Sequence, residues 1–356
     1  TNAVTGTIML TPDGASPFSQ IDIAGAKPGN RPKQRVIWIV FDELDQRITF
    51  EARPGDVKLP AFDRLRREGF YAGQARPPYS HTYNSIGSLL TGRPVRKTLV
   101  HANGMRVRYK SEKEFHPFIT PNNFFTRAWE IGARSAAFGQ FAFSYCTLLR
   151  DLLERCWSHD GWWKGSRDTV PGRIPKLFGE AHRLVSRALK GISREVDFRL
   201  RMIERMRRVT DDLVETVTDP GVDIIFAHLA VPHSPFFYNH RTDRFDPYVD
   251  QVSGYLGNLE LTDRILGRVL EALDRDAIGR RTAVIVTSDH WWRDSKKYDG
   301  VLDMRVPFLA RLPGQTKGVN HALPFQTMKA GDLVLDIMQG RITRGEDIPA
   351  RMAVRN

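Results

Sequence analysis

RTAVIVTSDH, residues 281–290, is a run of small and β-branched apolar residues that stops on a serine, an aspartate and a histidine. Short and apolar throughout, it reads as a strand covered on both faces that delivers polar groups at its carboxyl end. Just before it, YLGNLELTDRILGRVLEAL (255–273) has apolar residues at 255, 256, 259, 266, 269, 270 and 273, the stripe of an amphipathic helix. Two other runs repeat the strand pattern. RVIWIVFDEL (35–44) ends in Asp42 and Glu43, and VDIIFAHLAVPH (222–233) carries His228 within it and His233 at its end. The alternation of strand and helix predicts an α/β fold, a central largely parallel sheet flanked by helices on both faces, with a small C-terminal lobe. In such sheets the ligand site lies at the carboxyl ends of the strands.

The rest of the chain arranges itself around these runs. Residues 1–34 mix Gly, Pro, Ser and Thr with little periodicity and read as a leader arm or linker before a main domain over 35–342. LPAFDRLRREGF (59–70) predicts a short amphipathic helix, 122–133 another, and ARSAAFG (133–139) a strand. A long helical insertion is expected at about 178–218, and 343–356 forms a tail. Between Arg183 and Arg208 there are nine basic and three acidic residues, which suits a solvated helix face or an anion-binding surface.

With 41% apolar and 26% charged residues, the 356-residue chain has the composition of a folded protein rather than a disordered one. No apolar run approaches the roughly 20 residues that cross a bilayer, so a soluble chain is expected. Its start at Thr1 fits a processed protein or a piece of a longer one. The net charge of +12 favours anionic partners such as lipid headgroups, polyanionic glycans or nucleic acid. The only cysteines, Cys146 and Cys156, fit no zinc motif; a disulfide and two buried thiols both remain open.

Three strand ends therefore carry Asp42–Glu43, His228 to His233, and Asp289–His290. In a parallel sheet they meet at one edge, and carboxylates with an imidazole suit zinc, manganese or magnesium with an open position. SHTYNSIGSLLTG (80–92) adds a cluster of hydroxyls before an apolar, helix-like run. On local grounds Thr82 fits a helix cap as well as a nucleophile.

The order and wording of these segments over about 35–342 resemble the alkaline-phosphatase superfamily, in its sulfatase-like branch. That branch includes sulfatases, phosphonate monoester hydrolases, and phosphoethanolamine and phosphoglycerol transferases. VIWIVFDEL resembles its first metal-binding strand, LPAFDRLRREGFYAGQA the segment after it, TAVIVTSDH the strand of its Ser-Asp-His motif, and RVPFLARLPG the strand that closes the site. Sulfatases have Cys-x-Pro-Ser-Arg followed by a Leu-Thr-Gly that ends ten residues after the cysteine. Counting back from Gly92 puts Thr82 at the nucleophile position, with Asn84 and Ser85 for Pro-Ser and Ile86 for arginine. Threonine is not a formylglycine precursor, so the resemblance implies phosphoryl transfer rather than sulfate ester cleavage.

By this resemblance Asp42, Asp289, His290 and Thr82 are metal ligands, with Glu43 a second choice beside Asp42 because neighbouring strand residues face opposite ways. His233 would contact substrate or serve in proton transfer, and Lys297 (or Lys296) and Asn84 would bind substrate. His228 reads as structural, and Trp291 and Trp292 as a wall for a sugar or lipid headgroup or as core. One divalent ion is implied, Mn, Zn or Mg, with Ca compatible, because the aspartate of a second site is missing. The expected enzyme is a phosphotransferase that moves phosphoglycerol or phosphoethanolamine from a phospholipid to a glycan through a phospho-threonine. It would work at an anionic membrane surface, in the periplasm or outside the cell, either free or as the soluble domain of a membrane-anchored protein. A phosphodiesterase or phosphomonoesterase of the same superfamily is the alternative, and a non-catalytic polyanion-binding protein a more distant one. No nucleic acid partner is expected.

Overall fold

The structure, a computed structural model, describes residues 29–101, 104–139, 145–158 and 194–352. The expected leader before residue 29 and the insertion before residue 194 lie outside the described residues.

Eight strands form the main sheet: β1 (Arg35–Asp42), β2 (Phe70–Ala72), β3 (Ser135–Gly139), β4 (Arg155–Ser158), β5 (Ile224–Pro232), β6 (Thr282–Ser288), β7 (Phe308–Arg311) and β8 (Val319–His321). Their order is β8-β2-β7-β6-β1-β5-β3-β4. β6, β1, β5, β3 and β4 are parallel neighbours, and β7 runs antiparallel between β6 and β2. The three runs singled out in the sequence are thus the three central strands, and their carboxyl ends lie side by side.

Alternation along β1 explains why the sheet needs helices on both sides. Ile37, Ile39 and Phe41 enter one buried core, whereas Val36, Trp38 and Val40 enter the other. Full burial of one such side chain contributes about 2 kcal/mol. The first core is closed by α1 (Pro60–Glu68), α4 (Arg194–Val217) and α5 (Gln251–Arg275), through residues such as Phe62, Met206 and Leu266. The second is closed by α2 (Thr82–Thr91), α3 (Phe124–Glu130) and α6 (Ala330–Met338), through Leu89, Phe125 and Val334. Ile348 and Met352 of the C-terminal segment are buried in this second core. No helix among the described residues is long and apolar enough to cross a membrane.

Long-range caps fix the helices to one another. Asp263 on α5 accepts hydrogen bonds from the N–H groups of Ala61 (3.2 Å) and Phe62 (2.8 Å), the open start of α1. Burial pushes its carboxyl up to about 7. Cys146 and Cys156 are bonded, with Cα atoms 5.5 Å apart, so the disulfide reading holds. The pairing is possible because β4 returns beside β3, bringing Cys156 back to the short helix Tyr145–Leu148.

Candidate active site

Parallel register decides which residues converge. Val40 pairs with His228 on one side and Thr287 on the other, so Asp42, His228 and Asp289 share the face that α2 covers. All three are buried, and each offers a ligand atom within 4.8 Å of the other two. His290 joins them: its Nε2 lies 3.5 Å from Asp42 Oδ1 and 3.4 Å from Asp289 Oδ2. The Ser288 Oγ lies 2.7 Å from both Phe41 O and His290 O, sharing its one proton between them, and accepts from Leu44 N at 2.9 Å, locking the ends of β1 and β6 together.

Thr82 completes the group. It is the first residue of α2, after His81, which makes no side-chain cap bond, and Gly92 ends the helix at a left-handed φ of 64°. Thr82 Oγ1 lies 3.2 Å from His290 Nε2. The helix-cap reading of Thr82 therefore gives way to a hydroxyl aimed at the cluster. Ser85 bonds Tyr79 through both N–H acceptance (3.1 Å) and donation to the carbonyl (2.9 Å), which ties down the chain entering α2.

The cluster is charged and unsatisfied. Both oxygens of Asp42, Asp289 Oδ2 and His228 Nε2 are buried and accept or make no hydrogen bond among the described residues. Burial, then the neighbouring Asp289 and Glu43, push the Asp42 carboxyl well above its usual range; burial foremost raises Asp289 as well. Burial likewise lowers His228 and His290 to about 4, keeping both rings neutral. Two dehydrated carboxylates with neutral imidazoles and no internal cation are a donor set that fits a divalent metal ion. His290 Nδ1 meets the Trp291 carbonyl at 3.0 Å and so carries the proton, which turns the Nε2 lone pair toward the acids.

His228 was expected to be structural because it lies inside a strand. Its register with Val40 instead puts it among the acids, and Tyr145 Oη sits 3.0 Å from its Nδ1. Gly139 makes room for that tyrosine, since a Cβ there would lie 1.9 Å from the ring. The sequence signal was available in the parity of His228 with Phe226, which faces the same core.

Other expected residues are placed elsewhere. Glu43 has a left-handed φ of 64°, and its carboxylate pairs with Arg293 Nε at 2.8 Å rather than joining the acids. Lys297 bonds Gln251 Oε1 (3.0 Å) and pairs with Asp294 (3.1 Å), and Asn84 Nδ2 donates to Arg96 O (2.9 Å). Neither reaches the cluster, because each is held by a neighbour on its own surface. His233 stands at the rim, its N–H bonded to Asp42 O at 3.0 Å and its Nε2 3.3 Å from Arg293 Nη2. Trp292 is core, stacked on Tyr255 with ring centroids 3.8 Å apart. Arg293 has no forerunner in the sequence reading.

Comparison with known proteins agrees with this architecture. Residues 36–312 match the model of a family described as type I phosphodiesterase / nucleotide pyrophosphatase. Among solved structures, the chain is similar to Ps i-CgsB in complex with k-i-k-neocarrahexaose (TM-score 0.58, 16% identity, 89% of this chain and 74% of that one). It is also similar to the phosphonate monoester hydrolase SpPMH from Silicibacter pomeroyi (0.56, 15%, 86% and 73%). A third is the PsFucS1 sulfatase from Pseudoalteromonas sp. (0.56, 13%, 86% and 68%). At these identities the likeness is one of fold. No curated protein matches the sequence.

Proposed function

Because the chain belongs to the type I phosphodiesterase / nucleotide pyrophosphatase family, within the alkaline phosphatase superfamily, we propose that it is a metal-dependent phosphodiester-cleaving enzyme with Thr82 as nucleophile. The observation that carries this reading is the Thr82 hydroxyl at 3.2 Å from His290 Nε2, beside buried carboxylate oxygens of Asp42 (both) and Asp289 (Oδ2) that have no hydrogen-bond partner among the described residues. Asp42, Asp289, His290 and Thr82 would hold one divalent ion, with His228 a further donor. Such an ion, when bound, stabilises phosphoryl charge and lowers the pKa of an alcohol ligand.

Thr82 Oγ attacks phosphorus, the Oγ–P bond forms as the bond to the leaving oxygen breaks, and the threonine's proton ends on that oxygen, which departs as the alcohol. The start of α2 faces its N–H groups and positive dipole end toward the transferring oxygens. An incoming hydroxyl then displaces threonine, its proton taken up by His233 at the rim and returned as the Oγ–P bond breaks to restore the Thr82 hydroxyl. When that hydroxyl is water, the enzyme is a hydrolase, and family membership supports this outcome.

The finer reading makes the acceptor a glycan hydroxyl and the donor a phospholipid, with transfer of phosphoglycerol or phosphoethanolamine at an anionic membrane surface outside the cytoplasm. Its support is the threonine at the nucleophile position and the +12 charge. The test is manganese- or zinc-loaded protein with bis(p-nitrophenyl) phosphate, then with labelled phospholipid with and without glycans. Cleavage lost in Thr82→Ala with metal retained supports the enzyme. Equal product in water alone selects hydrolysis over transfer.

A further inference from the structure

Glu43 and Arg293 form a pair anchored at both ends by the same aromatic stack. Tyr255 Oη donates to Glu43 O at 2.9 Å, and the Tyr255 ring stacks on Trp292, the residue before Arg293, with an interplanar angle of 5°. Glu43 Oε1 holds Arg293 Nε at 2.8 Å. The circuit closes through four residues and leaves the guanidinium little freedom. Its other end is open: the Arg293 side chain is 44% exposed while Glu43 is only 6% exposed.

That open end meets His233 and lies within electrostatic reach of Asp42 and Asp289. Nη2 rests 3.3 Å from His233 Nε2. The His233 Nδ1 meets the Ser234 carbonyl and so carries the proton, leaving Nε2 as a lone-pair acceptor. A long contact to a neutral nitrogen is weak beside a charge-assisted bond from arginine to a phosphoryl oxygen. Arg293 also brings a positive charge within electrostatic reach of Asp42 and Asp289, whereas Lys297 is held by Gln251 and Asp294.

We propose that Arg293, pre-positioned by Glu43, is the residue that clamps a non-bridging phosphoryl oxygen of the substrate, exchanging its His233 contact for that oxygen on binding. The proposal rests on the phosphoryl-transfer reading above. It assigns Glu43 to arginine rather than to the metal. It also defines the substrate as an anionic phosphoryl compound, whose transition-state charge is shared between the metal site and a planar guanidinium fork. Departure of Nη2 uncovers His233 Nε2 at the moment substrate is seated.

Calorimetry of inorganic phosphate and of manganese with the full chain tests this, alongside kcat and KM for bis(p-nitrophenyl) phosphate. Arg293→Ala is expected to weaken phosphate binding about 10-fold or more and to raise KM, with manganese affinity kept within about 2-fold. Arg293→Lys should recover only part, because lysine lacks the fork. Glu43→Gln should weaken phosphate binding by about 3- to 10-fold with manganese stoichiometry unchanged. Unaltered phosphate affinity in both Arg293→Ala and Arg293→Lys overturns the clamp, and so does loss of manganese in Glu43→Gln, which would make Glu43 a ligand. If Arg293→Ala does not fold, Arg293→Lys and Arg293→Gln decide on the same readouts. A manganese-loaded wild type that neither cleaves the diester nor binds phosphate overturns the phosphoryl-transfer reading itself, an outcome distinct from a working enzyme indifferent to Arg293.

Discussion

Thr82 Oγ1 and His290 Nε2 lie 3.2 Å apart although 208 positions separate them in the chain. The contact joins the start of α2 to the end of β6, and it sets one hydroxyl out of several beside the buried acids. Thr82→Ala is expected to lower turnover by at least about 10³-fold. Thr82→Ser keeps the oxygen and should retain measurable activity. Initial rates with a chromogenic diester, and the mass of a trapped phospho-enzyme, distinguish the two.

The burial of Asp42 and Asp289 predicts a pH-dependent stability pattern. Both carboxyls are raised above the unfolded value of 3.8, so in the metal-free fold they hold protons that the unfolded chain has lost, whereas His228 and His290, lowered from 6.5 to about 4, do the reverse. The carboxylate contribution to stability should fall as pH rises from about 4 upward, opposed between about pH 4 and 6.5 by the two imidazoles, so the fall is read as the difference between wild type and Asp42→Asn, and divalent metal should reduce it. Melting temperatures across pH with manganese or with chelator check this. Asp42→Asn should raise the melting temperature of the metal-free protein and abolish the stabilisation by metal.

Much of this site was legible in advance, for physical reasons that differ residue by residue. Strands β1, β5 and β6 are apolar on both faces, and that continuity marks buried parallel strands whose ends must meet. Thr82 followed from its distance to Gly92 only through the resemblance to the sulfatase motif, since its local chemistry suits a helix cap as well as a nucleophile. Arg293 was not legible, because its position depends on the turn at Glu43 and on Trp292 stacking beneath Tyr255, both tertiary events. Lys297 and Asn84 had suitable chemistry and suitable sequence positions, yet spacing along a chain does not fix where a long surface side chain finds its partner. His228 lay between these cases: its face was readable from alternation, its role was not.

Asp263→Ala should destabilise the fold without touching the site. It strips two buried N–H groups of α1 of their acceptor, at a cost of about 1–3 kcal/mol. A lower urea midpoint with an unchanged slope and unchanged metal affinity is the expected result.

Reduction of Cys146–Cys156, or the double substitution to serine, should cost roughly 3 kcal/mol by the loop-entropy relation for so short a loop. Thiol alkylation under denaturing conditions, with and without reductant, establishes the bond, and melting temperatures give its effect.

The left-handed backbone at Glu43 carries a consequence for how this protein could be improved or spoiled. A non-glycine residue there costs on the order of 1 kcal/mol that glycine would not. A screen for thermal tolerance alone would therefore favour Glu43→Gly, and in doing so would release Arg293 from its tether. A screen for robustness and a need for the Arg293 tether would pull this one position in opposite directions.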